Sequence, residues 1–243
     1  MATLALGPRR RGGGGDGAPL PVGEEKVRKV RSMFDAIAPR YDLLNRIMTL
    51  GLDRGWRRAG VEALGLPPAS VVLDVACGTG DFCRELEARG FRANGFDNSG
   101  GMLGRARTAA PLVQADALAL PVAGGAADGV TCGFALRNVA GLERLFFELA
   151  RILRPGGRIA ILEVAEPRLR IVRAFHHLYF HRVVPLIGGL LSDRDAYRYL
   201  PRSTAYLPPS PELLSMLERA GFRDCRIRLV GLGAAQIISG SRT

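Results

Sequence analysis

The residues whose types and spacing can do chemistry begin in the stretch VVLDVACGTGDF, Val71 to Phe82. An apolar, β-branched run carrying Asp74 enters the turn Cys77-Gly78-Thr79-Gly80, and an amphipathic segment follows. This reads as the first strand, turn and helix of a doubly wound sheet, and such turns bind ligands. A dinucleotide fingerprint needs a third glycine three positions after Gly80, where this chain has Cys83. Asp81 occupies the helix start, where a pyrophosphate would otherwise meet the helix N-terminus, and a carboxylate there repels phosphate. A ligand without phosphates that carries an ammonium and a sulfonium suits the turn better, because Asp74 and Asp81 offset positive charge.

Further acids fall where open α/β sheets hold ligands. Asp97, followed by Asn98, ends the second predicted strand, where a carboxylate accepts hydrogen bonds from both hydroxyls of a ribose. Asp116, followed by Ala117, ends the third and is placed to accept from an adenine amino group. A lone Asp at such a place is ordinarily a helix cap or turn residue. Three at successive strand ends, beside Gly-x-Gly, point together to a nucleoside, and S-adenosylmethionine is the nucleoside with the required positive charge. Dehydrogenase chemistry stays open on these residues alone.

Other reactive side chains suggest less. His176, His177 and His181 lie close together, yet no third ligand has matching spacing and the surroundings are rich in arginine, so no metal is expected. Cys77 and Cys132 sit near the turns, and small buried packing residues account for both.

Elements that position these residues follow from pattern. Residues 24–66 form helical patches broken at Pro39 and Gly51, predicting two or three short helices as a cap. Beyond Val71–Phe82 come RANGFDN as a strand, GGMLGRARTAA as a helix, PLVQAD and GVTCGFAL as strands, and LERLFFELARIL as a helix. Pro155-Gly156-Gly157 stops that helix before the strand RIAILEVAEP. The expected fold is therefore α/β, a doubly wound and mostly parallel sheet. Pro211 to Ala220 is the last helix, and CRIRLVG and AAQIISGSR, separated by a short turn, require an antiparallel hairpin at the sheet edge.

A chain of 243 residues holds one such domain with appendages. Residues 1–23 are too rich in Gly, Pro and Arg to pack and read as a disordered basic tail. Residues 24–66 are the cap, 67–167 the ligand-binding core, 168–210 a helical insertion, and 211–243 the final helix and hairpin. The four cysteines have no paired metal spacing, and neither a signal peptide nor a run of spanning length is present, so a cytoplasmic protein with reduced thiols is expected. A net charge of +11 suits an anionic partner, either nucleic acid or a membrane surface.

From about Lys26 to Arg242 the chain resembles the ubiquinone/menaquinone biosynthesis C-methyltransferases, a branch of the class I S-adenosylmethionine-dependent fold. Besides DVACGTGD, the resemblance rests on MFDAIAPRYDLLNRIMTLGLDRGWRR, FALRNV, RPGGR with LEVAEP, and YRYLPRSTAYLPPSPELLSMLERAGF. It implies a seven-stranded sheet and cofactor contacts from Thr79, Asp97, Asp116 and Ala117, with Cys77, Gly78, Gly80, Asn98 and Gly133 completing the cofactor site. Two positions depart from the family pattern. Gly133 stands where Ser is frequent, and the final strand reads AAQIISG without a histidine.

The implied reaction is methyl transfer to a ring carbon of a prenylated quinol, which needs alignment and exclusion of water rather than a covalent nucleophile. Arg137 is then expected to stabilise a ring oxyanion and position water, with Asn138 and Tyr41 as helpers, since arginine is a poor base. Alternatives are another small-molecule substrate or RNA; the fourth strand lacks the Asn/Asp-Pro-Pro-aromatic motif of amino-group methylation, and RNA-stacking aromatics are absent, so no nucleic acid is expected. In the insertion, Ile171, Phe175, Leu178 and Phe180 interleave with Arg168, Arg170, Arg173 and Arg182. That composition suits either peripheral docking on anionic membrane or a lid over the site. Oligomeric state is left open.

Overall fold

The computed structural model describes residues 21–167, Arg173, Tyr179 and residues 202–243. The tail up to position 20, and most of the insertion with its three histidines and its Ile171, Phe175, Leu178 and Phe180, lie outside the described residues.

Three helices form the cap: α1 (Gly23–Ile37), α2 (Tyr41–Thr49) and α3 (Asp53–Leu64). Pro39 sits in the single tight turn Ala38–Arg40 between the first two. Leu50 closes α2 in the left-handed conformation at φ 52°, with the Gly51 N–H donating back to the Arg46 carbonyl, so both predicted breaks occur where expected.

The sheet contains β1 (Val71–Val75), β2 (Arg92–Asp97), β3 (Leu112–Gln114), β4 (Ala127–Gly133), β5 (Leu153–Val164), β6 (Phe222–Val230) and β7 (Ala235–Arg242). Their order is β3-β2-β1-β4-β5-β7-β6, parallel through β5 and antiparallel at β7 and β6. The order reverses between β1 and β4, and that switch point opens the crevice where such sheets bind ligands.

Central strands are apolar on both faces because helices cover both. Leu73 and Val75 belong to one core cluster and Val72 to the other; Ile159 and Ile161 alternate with Ala160 and Leu162 in the same way. The first cluster packs under α6 (Leu142–Ile152) and α7 (Ser210–Arg219), the second under α3 and α4 (Asp81–Glu87). A Leu or Ile buried this completely contributes about 1.5–3 kcal/mol. At the exposed edge, β6 turns Arg223, Arg226 and Arg228 outward, which discourages pairing with another chain.

Three element expectations need correction. The helix read over GGMLGRARTAA shrinks to α5 (Gly100–Leu103), capped by the Ser99 hydroxyl and ended by Gly104, since glycines at 100, 101 and 104 remove the propensity to continue. The strand read through GVTCGFAL stops at Gly133, because Phe134 takes a left-handed φ of 56° and Leu136–Asn138 form a helical turn. The Pro-Gly-Gly segment ends the helix as expected but lies inside β5 as an irregularity, where the β4 register shifts between Ala127 and Gly129.

Candidate functional site

The crevice is a cleft whose empty space, including the part open to solvent, is about 800 Å³. Its floor is the turn after β1, from Ala76 to Gly78, with Asp97 and Asn98 from the end of β2. One side holds Ala115, Asp116, Ala117 and Leu118; another holds Gly133, Phe134, Ala135 and Asn138. Val27, Val30 and Phe34 of α1 and Tyr41 of α2 close it from the cap.

Local sequence explains the floor. Gly78 and Gly80 have φ of 55° and 81°, and a Cβ at Gly80 would lie 2.8 Å from Thr108 Cγ2. Only glycine fits there. The Gly78 N–H donates to Asp97 Oδ2 at 2.8 Å and the Ser99 N–H to Oδ1 at 2.9 Å, so Asp97 ties the glycine turn to the loop after β2. Burial nonetheless raises its carboxyl above the ordinary value, with those backbone N–H groups opposing the rise.

Of the residues singled out in the sequence, Gly78, Asp97, Asn98, Asp116, Ala117, Gly133, Asn138 and Tyr41 line the cleft. Asp116 is exposed, and its Oδ1 also accepts the Leu118 N–H at 2.9 Å, the ordinary turn role. Tyr41 is half-buried, with the Phe34 ring edge-on at 6.0 Å, and burial raises its phenol to about 12.

Asp74, Cys77, Thr79, Gly80 and Arg137 stand behind the lining. Asp74 is buried beneath the turn, accepting from Thr131 Oγ1 at 2.8 Å and Cys83 Sγ at 3.6 Å, and burial raises its carboxyl to about 7. It supports the turn from below instead of facing a ligand. Cys77 and Cys132 are buried packing residues, and burial carries the Cys132 thiol well above its usual value. Thr79 Oγ1 donates to Asp42. Arg137 turns from the cleft into a buried ion pair with Glu163 on β5. Asp81, expected to offset a ligand's charge, is already paired with Arg57 at 3.2 Å and with Arg84.

Several structural partners went unread in the sequence. Asp35 accepts from Ser99 Oγ at 2.5 Å and from the Gly101 N–H at 2.9 Å, docking α1 on α5. Arg57 joins Asp53 of the cap to Asp81, its guanidinium within 6 Å of the Phe82 and Phe134 rings. In MFDAIAPRYD, Asp35 and Asp42 look like helix-surface residues, and only their contacts with the loops after β2 and β1 separate them from that. Lys26 is buried too; its Nζ donates to the Val139 carbonyl at 2.9 Å and lies 3.7 Å from the Tyr206 ring centroid, and burial lowers the amine to about 8.

Among the described residues that line the cleft, the only side-chain carboxylates or fixed charges are Asp97 and Asp116, both acidic. A cationic nucleoside fits this lining, whereas a pyrophosphate would meet, among the described lining residues, carboxylates and no lysine or arginine. Strand order, switch-point cleft and acidic floor together define the class I fold of S-adenosylmethionine-dependent methyltransferases. A SAM-dependent methyltransferase from Aquifex aeolicus superposes with a TM-score of 0.56 at 15% identity, covering 92% of this chain and 100% of that one. Phosphoethanolamine N-methyltransferase 2 of Haemonchus contortus, solved in complex with S-adenosyl-L-methionine, superposes at 0.56 with 15% identity, covering 76% of this chain and 52% of that one.

The model of the ubiE/COQ5 methyltransferase family matches residues 22–242, and the chain belongs to that family. It is thus an enzyme, a methyltransferase. The demethylmenaquinone methyltransferase of Roseiflexus castenholzii is 44% identical over 229 residues, covering 91% of this chain and 96% of the relative. The ubiquinone/menaquinone biosynthesis C-methyltransferase of Geotalea daltonii is 38% identical over 230 residues, covering 90% and 98%.

Proposed function

We propose that the enzyme transfers a methyl group from S-adenosylmethionine to a ring carbon of a prenylated quinol in menaquinone or ubiquinone biosynthesis. The observation that carries this reading is the match to quinone-pathway methyltransferases over nearly the whole length of both chains. S-adenosylmethionine, when bound, supplies an electrophilic methyl on a sulfonium.

The chain's own residues then bind, orient and exclude water. Asp97 uses one lone pair of each oxygen on the Gly78 and Ser99 N–H groups, and the remaining pairs are available to a ribose diol. Asp116 and Ala117 form the adenine end, and Asn98 flanks it. Gly133 keeps the cleft wall narrow, and its lack of a side chain leaves room beside Phe82. At the reacting end, Tyr41 stays protonated at neutral pH and acts as a donor. Asn138 faces the substrate ring, where deprotonation of a ring hydroxyl raises nucleophilicity at the neighbouring carbon, and Arg137 favours the resulting oxyanion only through its charge, from behind the cleft wall where Glu163 holds it. The cap helices shield the cleft, so the aligned pair reacts away from bulk water.

A prenyl chain keeps such a substrate in the bilayer, so the enzyme works at a membrane surface. Among the described residues no helix is long and apolar enough to cross a membrane. The net charge of +11 favours an anionic surface. Purified enzyme with methyl-labelled S-adenosylmethionine and a panel of demethylated benzoquinols, naphthoquinols and RNA tests the whole reading. Label on a quinol ring carbon is expected; label in RNA, or none in any quinol, removes it. Co-sedimentation with anionic vesicles that falls as salt rises is the expected membrane result, and equal binding to neutral vesicles argues against the charge-based docking.

A further inference from the structure

Two leucines occupy exposed turns whose backbone favours glycine. Leu50, closing α2, has φ 52° and is 60% exposed; Leu232, between β6 and β7, has φ 56° and is 76% exposed. Glycine or asparagine would relieve both turns. A leucine this exposed buries too little apolar surface to offset the strain. Folding therefore does not account for either apolar tip.

Both tips belong to one face. A Cβ on Gly231 would lie 2.5 Å from Trp56 Cζ2, so the Leu232 turn rests against the start of α3, and Arg228 Nη2 ties β6 to the Ala59 carbonyl of that helix at 3.1 Å. The Trp56 N–H donates to the Leu52 carbonyl at 3.1 Å, which sets the turn beside the Leu50-Gly51-Leu52 junction of α2 and α3. Leu43 and Leu52 are exposed as well. Tyr179 of the insertion donates to the Ile47 carbonyl, on the same helix α2.

Charge indicates what such a face meets. From Pro39 to Arg58 the exposed charged side chains are all arginines: Arg40, Arg46, Arg54 and Arg58, the last also 3.7 Å from Glu85. Both acids of the stretch are engaged within the protein, Asp42 with Thr79 and Asp53 with Arg57. Separate apolar tips among arginines suit a fluid anionic surface, into which each tip sinks by itself. A protein partner would call for a contiguous apolar core instead.

We propose that this face of α2, α3 and the Leu232 turn docks on a bilayer containing anionic lipid, with Leu50 and Leu232 entering the headgroup region and the arginines meeting lipid phosphates. Tyr41, on the same helix as Leu43 and Arg46, lines the cleft. A helix with its side chains is about 10–12 Å across, so α2 alone separates a ring in the cleft from a prenyl chain left in the bilayer. The inference rests on the reading that the substrate is held in the membrane.

Full-length Leu50→Asn/Leu232→Asn and Arg46→Glu/Arg54→Glu test it on phosphatidylcholine vesicles with and without phosphatidylglycerol. Asparagine accepts the left-handed conformation, so the first pair should melt no lower than wild type while binding the anionic vesicles at least about tenfold more weakly. The second pair should weaken that binding on the order of 30-fold. Both should methylate a water-soluble, short-chain demethylated quinol at the wild-type rate, with a raised KM for prenylated quinol embedded in the anionic vesicles.

Wild-type vesicle binding in either pair overturns the inference and leaves the membrane reading in place. Wild-type enzyme that binds none of these vesicles removes the membrane reading, and this inference with it. A dimer in sedimentation velocity that Leu50→Asn/Leu232→Asn dissolves, with vesicle binding unchanged, assigns the face to a second copy of the chain and overturns the proposal too. If the asparagine pair melts below wild type, the glutamate pair decides by the same readouts.

Discussion

Thr79 donates a 2.6 Å hydrogen bond to Asp42, joining the glycine turn after β1 to helix α2 of the cap across 37 residues of chain. Thr79 is buried and Asp42 half-buried, so the bond is shielded from water on one side only. Thr79→Val should cost about 1 kcal/mol, lowering Tm by about 2–4 °C for a chain of this size. Combined with Asp42→Asn it should show a coupling of at least about 0.5 kcal/mol in a double-mutant cycle. Strict additivity of the two substitutions in thermal melts would mean that the cap and the turn are held together elsewhere.

Asp97 holds two backbone N–H groups and the proposed ribose contacts at once. Asp97→Ala should therefore weaken S-adenosylmethionine binding by about 10-fold or more. NAD should bind neither protein. Calorimetry giving an unchanged cofactor affinity in the variant would discard the ribose assignment.

Burial raises the folded-state carboxyl of Asp74 to about 7 from its ordinary value of 3.8. The folded protein then binds the extra proton between those values, so this group's contribution to stability falls as pH rises from about 4 to about 7. Asp74→Asn should be at least as stable as wild type at pH 8, with any advantage shrinking toward pH 4, because the amide keeps an acceptor for Thr131. Denaturant titrations at several pH values check this; a variant whose deficit grows with rising pH would reverse the sign and refute it.

A Cβ on Gly133 would lie 2.8 Å from Cε2 and 3.0 Å from Cδ2 of the buried Phe82 ring. Gly133→Ser should destabilise by about 1–3 kcal/mol through overpacking, and Phe82→Leu in the same chain should recover part of it. No change in Tm for Gly133→Ser would show that the ring can move aside without cost.

Much of the fold was legible in the sequence because the signals were local. Val71 to Phe82 announced strand, turn and helix through β-branched residues and glycines whose positive φ the structure confirms at positions 78 and 80. Asp97 and Asp116 were legible as cleft acids because strand ends converge on one rim. The register of side chains across the cleft was not legible: Arg137 reads as the residue beside Asn138, yet its partner Glu163 lies on the next strand, and sequence adjacency says nothing of which way a side chain turns from a helical turn. Asp74 looked like a rim acid for the same reason. Within β1, Leu73, Asp74 and Val75 alternate faces, and a shift of one position decides between ligand and core. The early end of β4 at Phe134 was invisible because nothing about a phenylalanine signals a left-handed φ.

The placement of β7 between β5 and β6 has a consequence for how this protein is made. Ile159, Ile161 and Leu162 are fully buried, and β5 pairs with β7 along Arg158 to Val164, so one whole side of that strand is completed by residues 235–242. During synthesis, strands β1 to β5 leave the ribosome well before their last neighbour does. Until then the nascent sheet carries an apolar, unpaired edge, the kind of surface that recruits chaperones or other nascent chains. The waiting period is written into the strand order, and a ribosome pause after β5 would lengthen it while leaving the finished enzyme unchanged.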